Sequence, residues 1–160
     1  MMLTDEKSLC KRNQKIIVSR DKGNKREHRT INRDGIYKVR QYKLDGDIFH
    51  NVKCCDYLIL NDTEGKETAI YIELKGGNVD EAIPQLRNAR KLTEGELTVP
   101  KKNVMYRIIC SRTPTHKINS SKMLKSRYSR YPYLFILTDI FNISPLGYLW
   151  YISGRNNLRS

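Results

Sequence analysis

The run Ala69-Ile70-Tyr71-Ile72-Glu73-Leu74-Lys75 reads as a buried strand that carries an acid and a lysine where apolar residues belong. Seventeen residues before Glu73, Asp56 opens a second run of the same kind, Tyr57-Leu58-Ile59-Leu60. Asp, Glu and Lys are almost never fully buried unless paired, and an isolated carboxylate is costly to take out of water. Two acids and a lysine set into strand sequence therefore point to a site that holds a cation and activates water.

Strand geometry supports this reading. Residues i and i+2 of a strand share a face, so Glu73 and Lys75 should lie side by side, roughly 6–7 Å apart at the backbone. Ile70, Ile72 and Leu74 should face the opposite way, into the core. Asn61-Asp62-Thr63-Glu64-Gly65-Lys66 has the composition of a hairpin loop. Such a loop would lay the Asp56 strand beside the Glu73 strand.

The rest of the chain predicts an α/β protein, with a mixed sheet of four to six strands and helices on its faces. Residues 36–44 alternate with period two and predict a strand, with Lys38, Arg40 and Tyr42 turned to solvent or to a ligand. Asp45-Gly46-Asp47 predicts a turn. A helix is expected from about residue 80 to 92, with Ala82, Ile83, Leu86 and Ala89 as its apolar stripe. Pro84 would be tolerated there only if the first turn starts late. Val104 to Cys110 is nearly continuous in apolar character and predicts a central strand. Strand, helix, strand implies a right-handed crossover. Tyr133 to Thr138 predicts one more strand, and Ser120 to Arg130 a basic helix or turn. Residues 14–19 are an apolar run of undecided type. Residues 20–34 predict a basic loop or the start of a polar helix. The aromatic stretch 146–152 packs either on the core or on a second copy of the chain.

Asp56, then Glu73-x-Lys75 on a following strand, then a helix containing Gln85, resembles the PD-(D/E)XK nuclease superfamily. The resemblance covers about residues 45 to 112, under half of the chain. Cys55 precedes Asp56 where that family loosely keeps a proline. The resemblance implies a restriction-endonuclease-like fold: a central mixed sheet flanked by helices, across a single domain of residues 1–160 with a basic segment at 1–34. It also implies Mg²⁺ or Mn²⁺ at Asp56, at Glu73 and at the backbone carbonyl of Leu74. Lys75 would orient or deprotonate the attacking water, or stabilise charge on the phosphate. Gln85 would face the site from the helix, Glu27 would sit on an N-terminal helix that completes it, and Arg112 would lie near the phosphate.

Chemistry read from the residues agrees. Hard oxygen ligands suit Mg²⁺ or Mn²⁺, and such ions assist in-line attack on a phosphodiester. Asp45 and Asp47 are candidate outer ligands, although turn chemistry explains them equally well. Glu73 and Lys75 also allow a plainer reading as an exposed pair on an edge strand.

Charge is distributed in three blocks. Residues 1–45 hold 13 Lys/Arg against 6 Asp/Glu, residues 46–99 hold 6 against 10, and residues 100–160 hold 11 against 1. An acidic centre of net −4 between flanks of +7 and +10 suits a cation site within a polyanion-binding surface. Lys122, Lys125, Arg127, Tyr128, Arg130 and Tyr131 interleave bases with aromatics, a mix that serves phosphate contacts and base stacking. A plain basic helix face is the alternative. Cys10, Cys54, Cys55 and Cys110 lack C-x-x-C spacing and read as reduced core thiols, with Cys54 and Cys55 on opposite faces of a strand. They favour a cytoplasmic setting. His28, His50 and His116 read as surface residues. No 18-residue apolar run is present, so no membrane role is expected.

The expected activity is thus metal-dependent hydrolysis of phosphodiester bonds, with DNA favoured over RNA. A homodimer is one form that small nucleases take, and junction-resolving and defence endonucleases are two versions of the activity. The alternatives are a non-catalytic nucleic-acid binder on a nuclease-like fold, and an adaptor or inhibitor that grips an acidic protein partner.

Overall fold

A computed structural model describes residues 1–23, 26–75, 79–110 and 134–137. Strands β1 (Ile16–Arg20) and β2 (Glu27–Ile31) pair antiparallel as a separate hairpin. The polar segment expected to be a loop or a helix start is therefore partly strand. Its alternation is hidden because the inward residues of β2 are polar: His28 and Thr30 are each 2% exposed. His28 is thus a core residue rather than a surface one. Glu27 lies on this strand and not on a helix, and both its oxygens are engaged, by Arg20 Nη2 and by Arg29 Nε, each at 2.7 Å.

Strands β3 (Val39–Lys43), β4 (Tyr57–Asn61) and β5 (Thr68–Lys75) follow as an antiparallel meander. Helix α1 (Val79–Thr93) then carries the chain across to β6 (Val104–Cys110), which lies parallel to β5 from Ala69↔Val104 to Lys75↔Cys110. Strand β7 (Leu134–Leu137) adds antiparallel to β6. The sheet is mixed, five-stranded and ordered β3-β4-β5-β6-β7. Its parallel pair needs a crossover, which α1 supplies.

Each face of the sheet buries its own core. Tyr42, Leu58, Leu60, Tyr71, Tyr106 and Ile108 pack with Ala82, Leu86 and Ala89 of α1. The Tyr71 and Tyr106 rings stack 5.5 Å apart, and Tyr71 Oη shares a hydrogen bond of 2.6 Å with Thr93 Oγ1 at the end of the helix. On the other face Ile59, Ile70, Ile72 and Leu74 meet Ile17 of β1. Among the described residues one face is therefore covered by a helix and the other by the β1–β2 hairpin, whereas helices were expected on both.

Four local expectations change. Tyr42 is fully buried, and its hydroxyl donates toward the carbonyls of Leu3 and Thr4, each at 3.1 Å. Arg40 does not reach for a ligand. It forks onto Asp62, with Nε–Oδ2 at 2.6 Å and Nη2–Oδ1 at 2.8 Å. Cys54 and Cys55 precede β4 outside any strand, and both belong to the helix-side core rather than to opposite faces. Pro84 lies inside α1, beyond its first turn, where it cannot donate to the carbonyl four residues back.

Candidate active site

The site forms where β5 outruns β4. The two strands pair only as far as Tyr57↔Ile72, while β5 continues to Lys75 against β6 on its other side. The last three residues of β5 therefore have one open edge, and Asp56 fills it. Its Oδ2 accepts a hydrogen bond of 2.7 Å from the Leu74 backbone N–H. The Asp56 backbone N–H in turn donates to Glu73 Oε2 at 3.2 Å. Backbone groups that β4 leaves unpaired are thus satisfied by carboxylates, which answers the demand that buried donors find partners.

Lys75 lies two residues along the same face, with Nζ 3.3 Å from Glu73 Oε1 and 3.7 Å from Glu81 Oε2 on α1. Glu73 is 3% exposed. Burial, and then the charge of Asp56, push its carboxyl up to about 7, with Lys75 pulling the other way. Burial also raises Asp56. The Leu74 N–H, Lys75 and Arg26 oppose that rise, and the charge of Asp45 adds to it. Two carboxylates forced together in a dry strand end repel each other, which is the electrostatic demand that a bound cation relieves.

The structure thus brings Asp56, Glu73, the Leu74 backbone and Lys75 together. Asp45 is exposed, but the Leu44 N–H bonds to the Asp56 carbonyl at 2.8 Å, which keeps the Asp45 turn within electrostatic reach. Gln85 sits one helical turn after Glu81, on the same side of α1. Its Oε1 is buried without a hydrogen-bond partner. Lys43 Nζ engages Asp47 at 2.8 Å, so Asp47 serves the turn. Arg112, Lys122, Lys125, Arg127, Tyr128, Arg130, Tyr131 and His116 lie outside the described residues, as does the stretch 146–152.

The donor set suits a hard cation. Two carboxylates and a strand carbonyl are oxygen ligands of the kind Mg²⁺ and Mn²⁺ take. Among the described residues no group of three or more His, Cys, Asp and Glu side chains is placed to hold a metal ion. An ion here would fill its remaining positions with water and phosphate oxygens, as Mg²⁺ commonly does.

Two residues of this neighbourhood escape sequence reasoning. Glu81 carries the signal of its spacing four residues before Gln85. Arg26 carries none, because its position depends on a hairpin whose inward residues are polar. Comparison with known proteins returned no match: no family model, no curated protein and no solved structure matches the chain.

Proposed function

We propose that this protein is a metal-dependent nuclease that hydrolyses phosphodiester bonds, with DNA as the favoured substrate and an endonuclease as the favoured mode. One observation carries the reading: Asp56, Glu73 and Lys75 meet at the open end of β5, with Glu73 buried and its carboxyl raised toward neutrality. The antiparallel meander followed by a helical crossover to a parallel strand supports the restriction-endonuclease-like arrangement that the sequence resembles. The acidic centre between basic flanks supports a polyanion substrate.

A bound Mg²⁺ or Mn²⁺ would supply charge neutralisation on the phosphate and a more acidic water. Asp56 and Glu73 hold the ligand oxygens, and the Leu74 N–H fixes the Asp56 carboxylate so that its second oxygen stays directed. Lys75 lies beside Glu73, where its ammonium orients the attacking water and offsets charge gathering on the phosphate. The water oxygen bonds to phosphorus as the phosphorus–oxygen bond to one sugar breaks. The water gives up a proton to solvent, and the leaving sugar oxygen gains one from solvent.

The Glu73 carboxylate also bonds to the Asp56 backbone and to Lys75, and the Asp56 carboxylate bonds to the Leu74 backbone. That closed network favours a second reading, in which the strand end is structural and the protein binds nucleic acid without cutting it. Incubation of the full chain with plasmid and single-stranded DNA, in Mg²⁺, Mn²⁺ or EDTA, separates the two. The nuclease reading expects metal-dependent cutting that Glu73→Ala and Lys75→Ala both abolish. Salt-sensitive binding without cutting would leave the binder.

A further inference from the structure

The turn end of the β1–β2 hairpin brings a cation, Arg26, within electrostatic reach of Asp56. Tyr57 follows Asp56 directly, and its hydroxyl donates to the Arg20 carbonyl at 2.7 Å. Arg20 is the last residue of β1 and pairs with Glu27, so this bond pins the turn end of the hairpin beside Asp56. Arg26 closes that turn. Its Nη2 lies 2.6 Å from Asp21 Oδ2, its backbone N–H donates to Asp21 Oδ1 at 3.3 Å, and its carbonyl accepts from the Asp21 N–H at 3.2 Å. The guanidinium is held on one side only: Arg26 Nε is buried and has no hydrogen-bond partner.

A buried, unpartnered guanidinium N–H is costly. Its cation lies close enough to favour the ionised form of Asp56. A guanidinium presents donors in a fixed fork that matches the oxygens of a phosphate. Asp21 holds the Nη2 arm of that fork and leaves the buried Nε–H without a partner. The group that such a donor fits is a non-bridging oxygen of a phosphodiester held at Asp56 and Glu73.

We propose that Arg26 is the phosphate clamp of this site: from the hairpin turn it donates to a non-bridging oxygen of the scissile phosphodiester, with Asp21 as its positioning residue. The clamp rests on the nuclease reading. It makes and breaks no bond, and it stabilises the charge that builds on the phosphate oxygens as water attacks. The hairpin then has a function beyond covering the sheet, since its turn end brings a cation within electrostatic reach of Asp56.

The full-length chain is assayed on supercoiled plasmid with Mn²⁺, as wild type and as Arg26→Ala, Arg26→Lys and Glu73→Ala. Unfolding midpoints and guanidinium rescue are measured alongside. Wild type should cut and Glu73→Ala should not. Arg26→Ala should lower the cutting rate about 100-fold, the usual loss for one preorganised donor to a reacting oxyanion. Its unfolding midpoint should stay near that of wild type, and millimolar guanidinium should restore part of its rate. Arg26→Lys should cut at an intermediate rate without guanidinium rescue. Wild-type cutting rates in Arg26→Ala, with Glu73→Ala inactive, overturn the clamp and leave the nuclease standing. Slow cutting with a matching drop in midpoint and no rescue in either Arg26 variant reduces Arg26 to a turn residue and overturns the clamp. No cutting by wild type removes the nuclease reading, and the clamp with it.

Discussion

Asp56 donates its backbone N–H to Glu73 at 3.2 Å while the charges of the two side chains oppose each other, so the contact that orients the pair also strains it. Glu73 therefore titrates near 7 in the folded chain against an ordinary 4.5. The folded state binds more protons than the unfolded state between these values. The contribution of Glu73 to stability is full below pH 4.5 and is lost as pH rises through 7. Glu73→Gln should then make the metal-free protein more stable at pH 8, by up to about 3 kcal/mol. Chemical denaturation at pH 8 checks this. A divalent cation seated between the carboxylates reverses the order: Mn²⁺ should raise the unfolding midpoint of wild type and leave that of Glu73→Gln unmoved.

The same pair shows what the sequence can carry. Glu73 and Lys75 share a face because strand alternation has a period of two, and Asp56 reaches them through a hairpin whose loop chemistry is local. Helix α1 was expected from about residue 80 to 92 and runs from Val79 to Thr93, because Ala82, Leu86 and Ala89 repeat at helical spacing. Strand β6 coincides with its expected bounds at Val104 and Cys110, because its apolar run is nearly unbroken. Strand β2 was illegible for the converse reason. His28 and Thr30 are buried polar residues, and a pattern of apolar and polar letters does not register them. Arg26 inherits that blindness, since its place beside Asp56 follows from the Tyr57–Arg20 bond across 37 residues of chain.

Lys75 bridges Glu73 and Glu81, and its role as structural counter-ion and its proposed role as catalytic group separate on substitution. Lys75→Met keeps the aliphatic stem and removes the ammonium. Cutting should fall by about 10²–10⁴-fold, the range for a lost proton-handling group. DNA retention in a filter-binding assay should stay close to wild type, because one cation among the 30 Lys/Arg of the chain is a small share of the electrostatic attraction. Equal losses of binding and cutting would assign Lys75 to general charge instead.

Pro84 interrupts the hydrogen-bond ladder of α1. It is exposed. Pro84→Ala restores a donor toward the carbonyl four residues back and removes the ring's clash with that carbonyl. The variant should be more stable by about 1–3 kcal/mol. Thermal unfolding with and without DNA checks the gain and shows whether the site at the start of the same helix is disturbed.

His28 sets a pH dependence of the opposite sign to that of Glu73. It is buried on strand β2, with Nδ1 3.3 Å from Thr30 Oγ1 and Nε2 without a hydrogen-bond partner. Burial, and then the charge of Arg107, push it down to about 3 from an ordinary 6.5. Arg107 is itself 6% exposed and donates to the Tyr106 carbonyl at 3.3 Å. The folded state keeps His28 neutral where the unfolded state protonates it. Stability from His28 is therefore full above pH 6.5 and declines as pH falls toward 3, by about 2 kcal/mol at pH 5. Glu73 gains a similar amount on acidification from pH 7 toward 4.5, so the two nearly cancel in the wild type. His28→Gln should unmask the Glu73 gain and be more stable at pH 5 than at pH 7.5. Glu73→Gln should unmask the His28 loss and be less stable at pH 5 than at pH 7.5. Denaturation midpoints of both variants across that range test the pair together. Parallel profiles in the two variants would show that these side chains do not set the acid response of the fold.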